Sequence, residues 1–320
     1  MIGTVLFGTN NIFQVECEDG VIRSCSIKGK KLETKRDYYN PLAPGDVVQI
    51  EKDENTQTEG QILSLLPRKN EFVRWNVKGR KFQLLATNLD NIIVVVTPDE
   101  PPFRPRFVDR ILVQAQEQNI EPVILCNKCD LIGENSGGFE ERISIWEEIG
   151  YKVLKISAKS GEGLPDLAQF LEGKNCAFVG QSGVGKSSIV NVLDSTCVLK
   201  TGSLSKKYGK GSHTTTKGSL FHLTLNESLM GGRIGATANI IDTPGVRRFV
   251  LHEIPSSDLA LYFREFAPFV GKCDYGMSCT HTHEKGCQIL KAVEEGKISS
   301  CRYESWLRIR DEIENGTWAD

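Results

Sequence analysis

The sequence predicts a multidomain chain: an N-terminal OB-like β-barrel, a central α/β domain built round a phosphate loop, and a C-terminal helical zinc-binding domain. Three observations predict it. Short β-rich runs split by turn residues fill positions 1–67. Strand–helix alternation fills 68–250, with Gly180-Gln181-Ser182-Gly183-Val184-Gly185-Lys186-Ser187 at the end of one strand-like run. Three cysteines and a histidine at short spacing lie within 251–320.

The 320 residues suit two or three domains, at roughly 100–200 residues each. Hydrophobic residues are 39% and charged residues 25%, the balance of a soluble globular chain. The longest purely apolar run, Ile92–Val96, is far short of the about 18 residues that a membrane helix needs. Met1–Val15 has no basic start and no apolar signal core. A cytoplasmic, reducing compartment without membrane attachment is therefore expected. The ten cysteines then do not read as a disulfide framework. The six within the first 200 residues read as small buried hydrophobes.

Net charge is −2, so the whole chain is not a basic nucleic-acid binder, but local charge is uneven. Arg68–Phe82 holds six basic residues and one acid. Ser195–Asn226 holds five lysines and no acid. Lys28, Lys30, Lys31, Lys35 and Arg36 form a basic cluster in an otherwise acidic barrel. Each run reads as a solvated face or as a nucleic-acid contact.

Strands are expected near Thr4–Phe7, Phe13–Glu16, Val21–Ile27, Val47–Glu51 and Gly60–Leu65, punctuated by Pro41, Pro44-Gly45 and Asp53–Asn55. Five short strands in this length fit an OB-type barrel. Asn91–Thr97 and Pro122–Asn127 are apolar runs typical of buried parallel strands. Phe107–Gln118 between them has helical spacing at Val108, Ile111, Leu112 and Ala115. Val153–Ser157, Cys176–Val179 and Ala238–Asp242 continue the strands. The alternation predicts a parallel sheet with helices on both faces. Beyond Val250, helices are expected at Asp258–Phe266, Gln288–Glu295 and Tyr303–Ile313.

Gly180–Ser187 matches the GxxxxGK[ST] phosphate loop in its required setting, between the strand Cys176–Val179 and a helical run, Ser188–Leu193. Its glycines let backbone amides curl round phosphate oxygens. Lys186 suits the β/γ-phosphates and Ser187 suits Mg²⁺. Asp242-Thr-Pro-Gly245 ends a later strand. An acid there can hold the metal's water shell, and the Gly245 amide can meet the γ-phosphate. Asn127-Lys128-Cys129-Asp130 supplies base choice: a carboxylate accepts both N1–H and N2–H of guanine, and adenine has no such pair. Lys128 can lie over the base, and Asn127 can tie this loop to the phosphate loop. Ser157-Ala158-Lys159 would set a backbone amide on guanine O6.

These motifs point to GTP and GDP as ligands, with Mg²⁺. Their order is permuted. In an ordinary GTPase the phosphate loop comes first, whereas here the base-reading motifs precede it. Joining old termini and reopening the chain elsewhere leaves the strands in the same places. Cys273, Cys279, His281 and Cys287 supply three thiolates and an imidazole, a set suited to one closed, structural Zn²⁺; His283 is a competing ligand with a poorer spacing. Two other readings compete. A non-enzymatic RNA-binding scaffold is opposed by intact Lys186, Ser187 and Asp242, and an ATP-using enzyme is opposed by Asp130.

This combination resembles the circularly permuted ribosome small-subunit-dependent GTPase A family (RsgA, also called YjeQ), over nearly the full length. The resemblance implies binding to the small ribosomal subunit and its rRNA late in maturation, by a monomer. It also implies GTP hydrolysis stimulated by the subunit and coupled to release. The barrel and the zinc domain would be the RNA-contacting modules. Gly211-Ser-His213-Thr-Thr-Thr216 resembles the family's GRHTTT switch segment, with Ser212 in place of its arginine. By position Thr215 is assigned to Mg²⁺ and the γ-phosphate, with Thr214 its nearest rival, and Ser188 to the nucleotide. Val246 follows DTPG and cannot orient water, so the resemblance implies His213 as the catalytic substitute beside Lys186.

Overall fold

The computed structural model describes residues 1–317 apart from 10, 30, 31, 35, 78, 134, 135, 195, 197–217 and 244–248. Five strands open the chain: β1 (Ile2–Thr9), β2 (Ile12–Cys17), β3 (Ile22–Ile27), β4 (Val47–Lys52) and β5 (Glu59–Leu65). They close in the order β1-β2-β3-β5-β4, with β3 and β5 parallel and β4 returning antiparallel to β1. This is the OB-like barrel. Alternate side chains point inward, so Val5, Phe13, Val15, Cys25, Val48, Ile50 and Ile62 form its core.

A hairpin follows, β6 (Glu71–Asn76) and β7 (Lys81–Thr87). It packs Val73, Phe82 and Leu84 on Tyr38 and Ala43. Within Arg68–Phe82 the hairpin withdraws two basic residues, while Lys69, Arg80 and Lys81 stay exposed. Arg68 is buried and grips Asp46 and Glu71, while Arg74 turns inward to Gln83.

The central sheet has β8 (Asn91–Val96), β9 (Glu121–Cys126), β10 (Lys152–Lys155), β11 (Asn175–Gly180), β12 (Ser219–Thr224) and β13 (Thr237–Asp242). Its order is β10-β9-β8-β11-β13-β12. Helices α1 (Pro105–Glu117), α2 (Gly137–Glu148), α3 (Leu164–Leu171) and α4 (Lys186–Leu193) connect these strands. Two side-chain sets alternate along β8. Ile92, Val94 and Val96 meet α1 and α2, while Ile93 and Val95 face α3 and α4. One strand departs from the expected parallel sheet: β12 pairs antiparallel with β13. Residues 225–236 join them through turns alone, without the helix that usually forms a parallel crossover.

The C-terminal part holds α5 (Gln288–Glu294) and α6 (Ser300–Asn315). The helix expected at Asp258–Phe266 is instead a short 3-10 turn, Leu259–Tyr262. Leu259, Ala260, Phe263 and Phe266 are all buried. Their spacing reflects a chain laid along α1. Of the six early cysteines, Cys17, Cys25, Cys126 and Cys176 are buried and Cys129 is half-buried, while Cys197 lies outside the described residues. Burial pushes the Cys25 thiol up to about 11 and the Cys176 thiol up to about 12. No helix among the described residues is long and apolar enough to cross a membrane.

The hydrophobic core over α1 runs without a break into the C-terminal part, through Phe263, Ile289, Trp306 and Ile309. Asp109 of α1 lies fully buried inside it. It accepts from Arg302 and Ser305 of α6, from Arg142 of α2 at 3.3 Å and from the Trp146 indole at 3.0 Å. Arg302 also holds Glu265 at 2.6 Å, so two carboxylates face two guanidinium groups. Removing one member leaves a buried charge without its partner. Asp109→Ala is expected to lower unfolding stability by about 3–5 kcal/mol, measured by urea denaturation. A loss no larger than the about 0.5 kcal/mol of a surface change would refute the role.

Candidate functional site

The motif loops leave the carboxyl ends of the parallel strands, where ligands bind in open α/β sheets. β11 ends at Gly180 and α4 begins at Lys186. A Cβ on Gly180 would meet the Val95 carbonyl oxygen at 2.6 Å, so the loop leaves the sheet only with glycine there. Gly185 has φ +93°, and a Cβ on it would lie 2.3 Å from Asn127 Nδ2. Val184 is buried, Ser182 and Gly183 are exposed, and Ser187 and Ser188 are half-buried in the first turn of α4.

The Lys186 ammonium folds back on this loop, donating to the carbonyls of Gly180 at 3.1 Å and Gln181 at 3.2 Å. Burial lowers its pKa. Asp242 ends β13 on the strand next to β11. Burial pushes its carboxyl up to about 7, and its Oδ1 has no hydrogen-bond partner among the described residues. A buried carboxylate oxygen without a donor, beside the phosphate loop, fits a cation and its water shell.

Asn127 is the junction. Its Nδ2 donates to the Val184 carbonyl at 2.8 Å, and its Oδ1 accepts from the Ala158 amide at 3.1 Å. One buried side chain thus holds three loops. Lys128 takes the left-handed conformation, φ 63°, and its ammonium donates to the Glu100 carbonyl. Asp130 stands exposed in the 3-10 turn Cys129–Leu131, and its Oδ1 accepts from buried Ser157 Oγ at 2.6 Å. Lys159 follows in the same turn. The structure therefore brings together Asn127, Lys128, Asp130, Ser157–Lys159, Gly180–Ser188 and Asp242. His213, Thr215 and Gly245 lie outside the described residues, as do Ser212, Thr214 and Val246.

Sequence reasoning missed the segment 97–104. Glu100 holds Lys128 through its carbonyl, and Arg104 donates to Gln181 at 3.0 Å once the Gln181 amide is turned to suit both its neighbours. The available signal was positional, since this segment leaves β8 at the same edge of the sheet.

A second cluster lies beside α5. Cys273, Cys279, His281 and Cys287 are all buried, with one ligating atom each within 4.8 Å of the others. Cys273 Sγ and Cys287 Sγ are each 3.5 Å from His281 Nδ1 and 3.9 Å from one another. A tetrahedral zinc, with bonds of about 2.3 Å to sulfur and 2.0 Å to nitrogen, sets edges of roughly 3.5–3.8 Å. The donor set fits one such ion. Backbone amides of Gln288 and Leu290 point at two of the sulfurs, and Tyr303 holds the His281 carbonyl. His283 is exposed and bonded to Thr282, outside the cluster.

The model of the RsgA GTPase family matches residues 65–252. A Borreliella burgdorferi (strain ZS7) protein named small ribosomal subunit biogenesis GTPase RsgA is 37% identical over 315 residues, covering 97% of this chain and 96% of its own. A Flavobacterium psychrophilum protein of the same name is 35% identical, covering 97% and 92%. The crystal structure of YjeQ from Thermotoga maritima superposes with a TM-score of 0.71 at 28% identity, over 98% of each chain. YloQ, described as a circularly permuted GTPase, shares the fold with a TM-score of 0.67 at 23% identity, over 99% and 96%. A phosphate loop and a guanine-reading loop, joined by Asn127 in permuted order and matched along nearly the whole chain, place this protein in the RsgA GTPase family of GTP-hydrolysing enzymes.

Proposed function

We propose that this GTPase serves small ribosomal subunit biogenesis, that it acts late in subunit maturation, and that the bound subunit stimulates hydrolysis, which drives release. The relatives' names support the process. The catalytic reading rests on Asn127, which holds the base-reading loops and the phosphate loop in one frame. The units would be 1–67 as an RNA-binding barrel, 68–250 as the permuted GTPase domain and 251–320 as the zinc-binding helical domain. The enzyme would work as a cytoplasmic monomer, on the subunit and its rRNA.

In this reading Asp130 accepts the two guanine donors and Lys128 covers the base. The Ala158 amide is taken by Asn127, so guanine O6 falls to the Lys159 amide in the same turn. Lys186 leaves its loop carbonyls for the β/γ-phosphates, and the Gly245 amide meets the γ-phosphate. Ser187, Thr215 and Asp242 would hold Mg²⁺, which neutralises phosphate charge. His213 holds or deprotonates the attacking water near neutral pH. The subunit orders the switch segment and so sets His213 in place.

Asp130→Asn is expected to weaken GTP binding and to improve binding of xanthosine triphosphate, because an amide donates where xanthine accepts. Unchanged GTP affinity in a nucleotide titration would remove the base-reading role. Purified protein should carry about one Zn²⁺ per chain. Cys279→Ser should loosen the C-terminal part and impair subunit binding while sparing GTP binding. Elemental analysis that finds no zinc, in protein prepared without chelators, counts against the site. His213→Ala should keep nucleotide and subunit binding but lose most subunit-stimulated turnover, by about 10²–10⁴-fold if it acts as the general base. Equal single-turnover rates with saturating subunits would reject the role.

A further inference from the structure

We infer that residues 97–104 form a brace between the base-reading loop and the phosphate loop, and that Gln181 is the positioning residue through which this brace supports guanine preference. The inference rests on the proposed placing of guanine against Lys128 and Asp130. One end of the brace takes Lys128, whose ammonium donates to the Glu100 carbonyl. The other end takes Gln181. Arg104 Nε donates to the Gln181 side-chain oxygen at 3.0 Å, and the side-chain nitrogen donates to the Pro102 carbonyl at 3.2 Å. An arginine N–H can only donate and a peptide carbonyl can only accept, which fixes how this amide is turned. Between the two ends Pro101 lies against the phosphate loop, where a Cβ on Gly183 would stand 3.7 Å from its Cδ.

The segment is stiff enough to act as a brace. Pro98, Pro101, Pro102 and Pro105 restrict its backbone. Buried Thr97 closes it on itself, its hydroxyl donating to the Pro101 carbonyl at 3.1 Å. Phe103 packs edge-on against Phe139 and Trp146 of α2. Lys128 needs such a hold. Its φ of 63° is a conformation that lysine rarely adopts, and its side chain has many rotamers to lose. Asn127 fixes the backbone of the same loops, through the Val184 carbonyl and the Ala158 amide. The brace adds what those bonds do not include, the side chain of Lys128. Gln181 also presents its backbone carbonyl to the Lys186 ammonium at 3.2 Å. One residue thus meets both the brace and the cation meant for the phosphates. Loosening its side chain frees the far end of the brace, and with it the loop that carries Lys128 and Asp130.

The test titrates the full chain, with Mg²⁺ present, against GDP and separately against inosine diphosphate. The two ligands carry the same phosphates and differ only in the amino group of the base. A defect confined to the phosphate loop weakens both alike and cancels in their ratio. Wild type is expected to prefer GDP. Gln181→Ala should weaken GDP binding about tenfold, from loss of two hydrogen bonds. It should also narrow the preference for GDP by about threefold, as for groups coupled in one hydrogen-bonded network. Arg104→Ala leaves the phosphate loop's own sequence intact and should narrow the preference likewise. The double variant should narrow it no further than either change alone. Thermal melting shows which variants are folded, and Arg104→Ala decides the matter if Gln181→Ala is not. Equal affinity of the wild type for the two ligands would refute the base reading, and the brace with it. A wild-type preference that survives undiminished in folded Gln181→Ala or folded Arg104→Ala would overturn the brace alone.

Discussion

Asp109 carries a full negative charge into the interior, and the way the chain satisfies it sets how the domains are joined. Its donors come from two distant places in the sequence: Arg142 and Trp146 on α2, and Arg302 and Ser305 on α6. A buried carboxylate without these partners would cost several kcal/mol, so α1, α2 and α6 must assemble together. Glu312 of α6 repeats the device against Arg110, the next residue of α1. The C-terminal part is thus held to the GTPase sheet by polar contacts of fixed geometry as well as by apolar area. Apolar packing alone would tolerate sliding, whereas charge pairs with several hydrogen bonds specify one register.

That attachment gives the permuted order a mechanical meaning. Beyond β13 the chain passes the DxxG motif and re-enters the described structure at Phe249, which stacks on Phe72 at 5.6 Å. His252 then stacks on Trp75 at 3.7 Å, and Glu253 pairs with Arg36. The exit of the motif is therefore fastened to the hairpin β6–β7 before the chain reaches the zinc cluster. At the other end, buried Asp194 accepts from the backbone of Thr196 and of Thr224. One carboxylate ties the last residue before the switch segment to the strand that follows it. Residues 197–217 and 244–248 are thus flanked by positions that the core already fixes.

Much of this was legible in the sequence because its signals are local. Gly180, Gly185 and Lys186 announce their loop by spacing, and the backbone geometry requires those glycines. The barrel strands were legible from alternation and turn residues, and so were the apolar strands β8, β9 and β11. The hairpin β6–β7 went unread because its charge drew attention from its pattern. Val73, Trp75, Phe82 and Leu84 pack together, and Gly79 marks the turn between them. β12 was lost in the same way inside a lysine-rich run. The helix expected at 258–266 failed for a different reason. Tertiary burial along α1, not helical winding, placed its apolar side chains. The Asp109 cluster had no sequence signal at all, since its partner Arg302 is 193 residues away.

The barrel and the C-terminal part touch different elements of the central sheet, and this decides what each can sense. The barrel meets the edge strand β12, where His222 Nε2 lies 2.7 Å from Glu16, and it meets the hairpin through Arg68 and Asp46. The C-terminal part meets α1 and α2 on the opposite side of β8 from α3 and α4. In the sequence β12 follows His213, whereas α1 follows β8 and the segment that holds Lys128. A change at the γ-phosphate that moved β12 would therefore be felt first by the barrel. A change at the base would reach α1 and the Cys/His cluster. A partner gripping both outer units would then read the two ends of one nucleotide at separate surfaces.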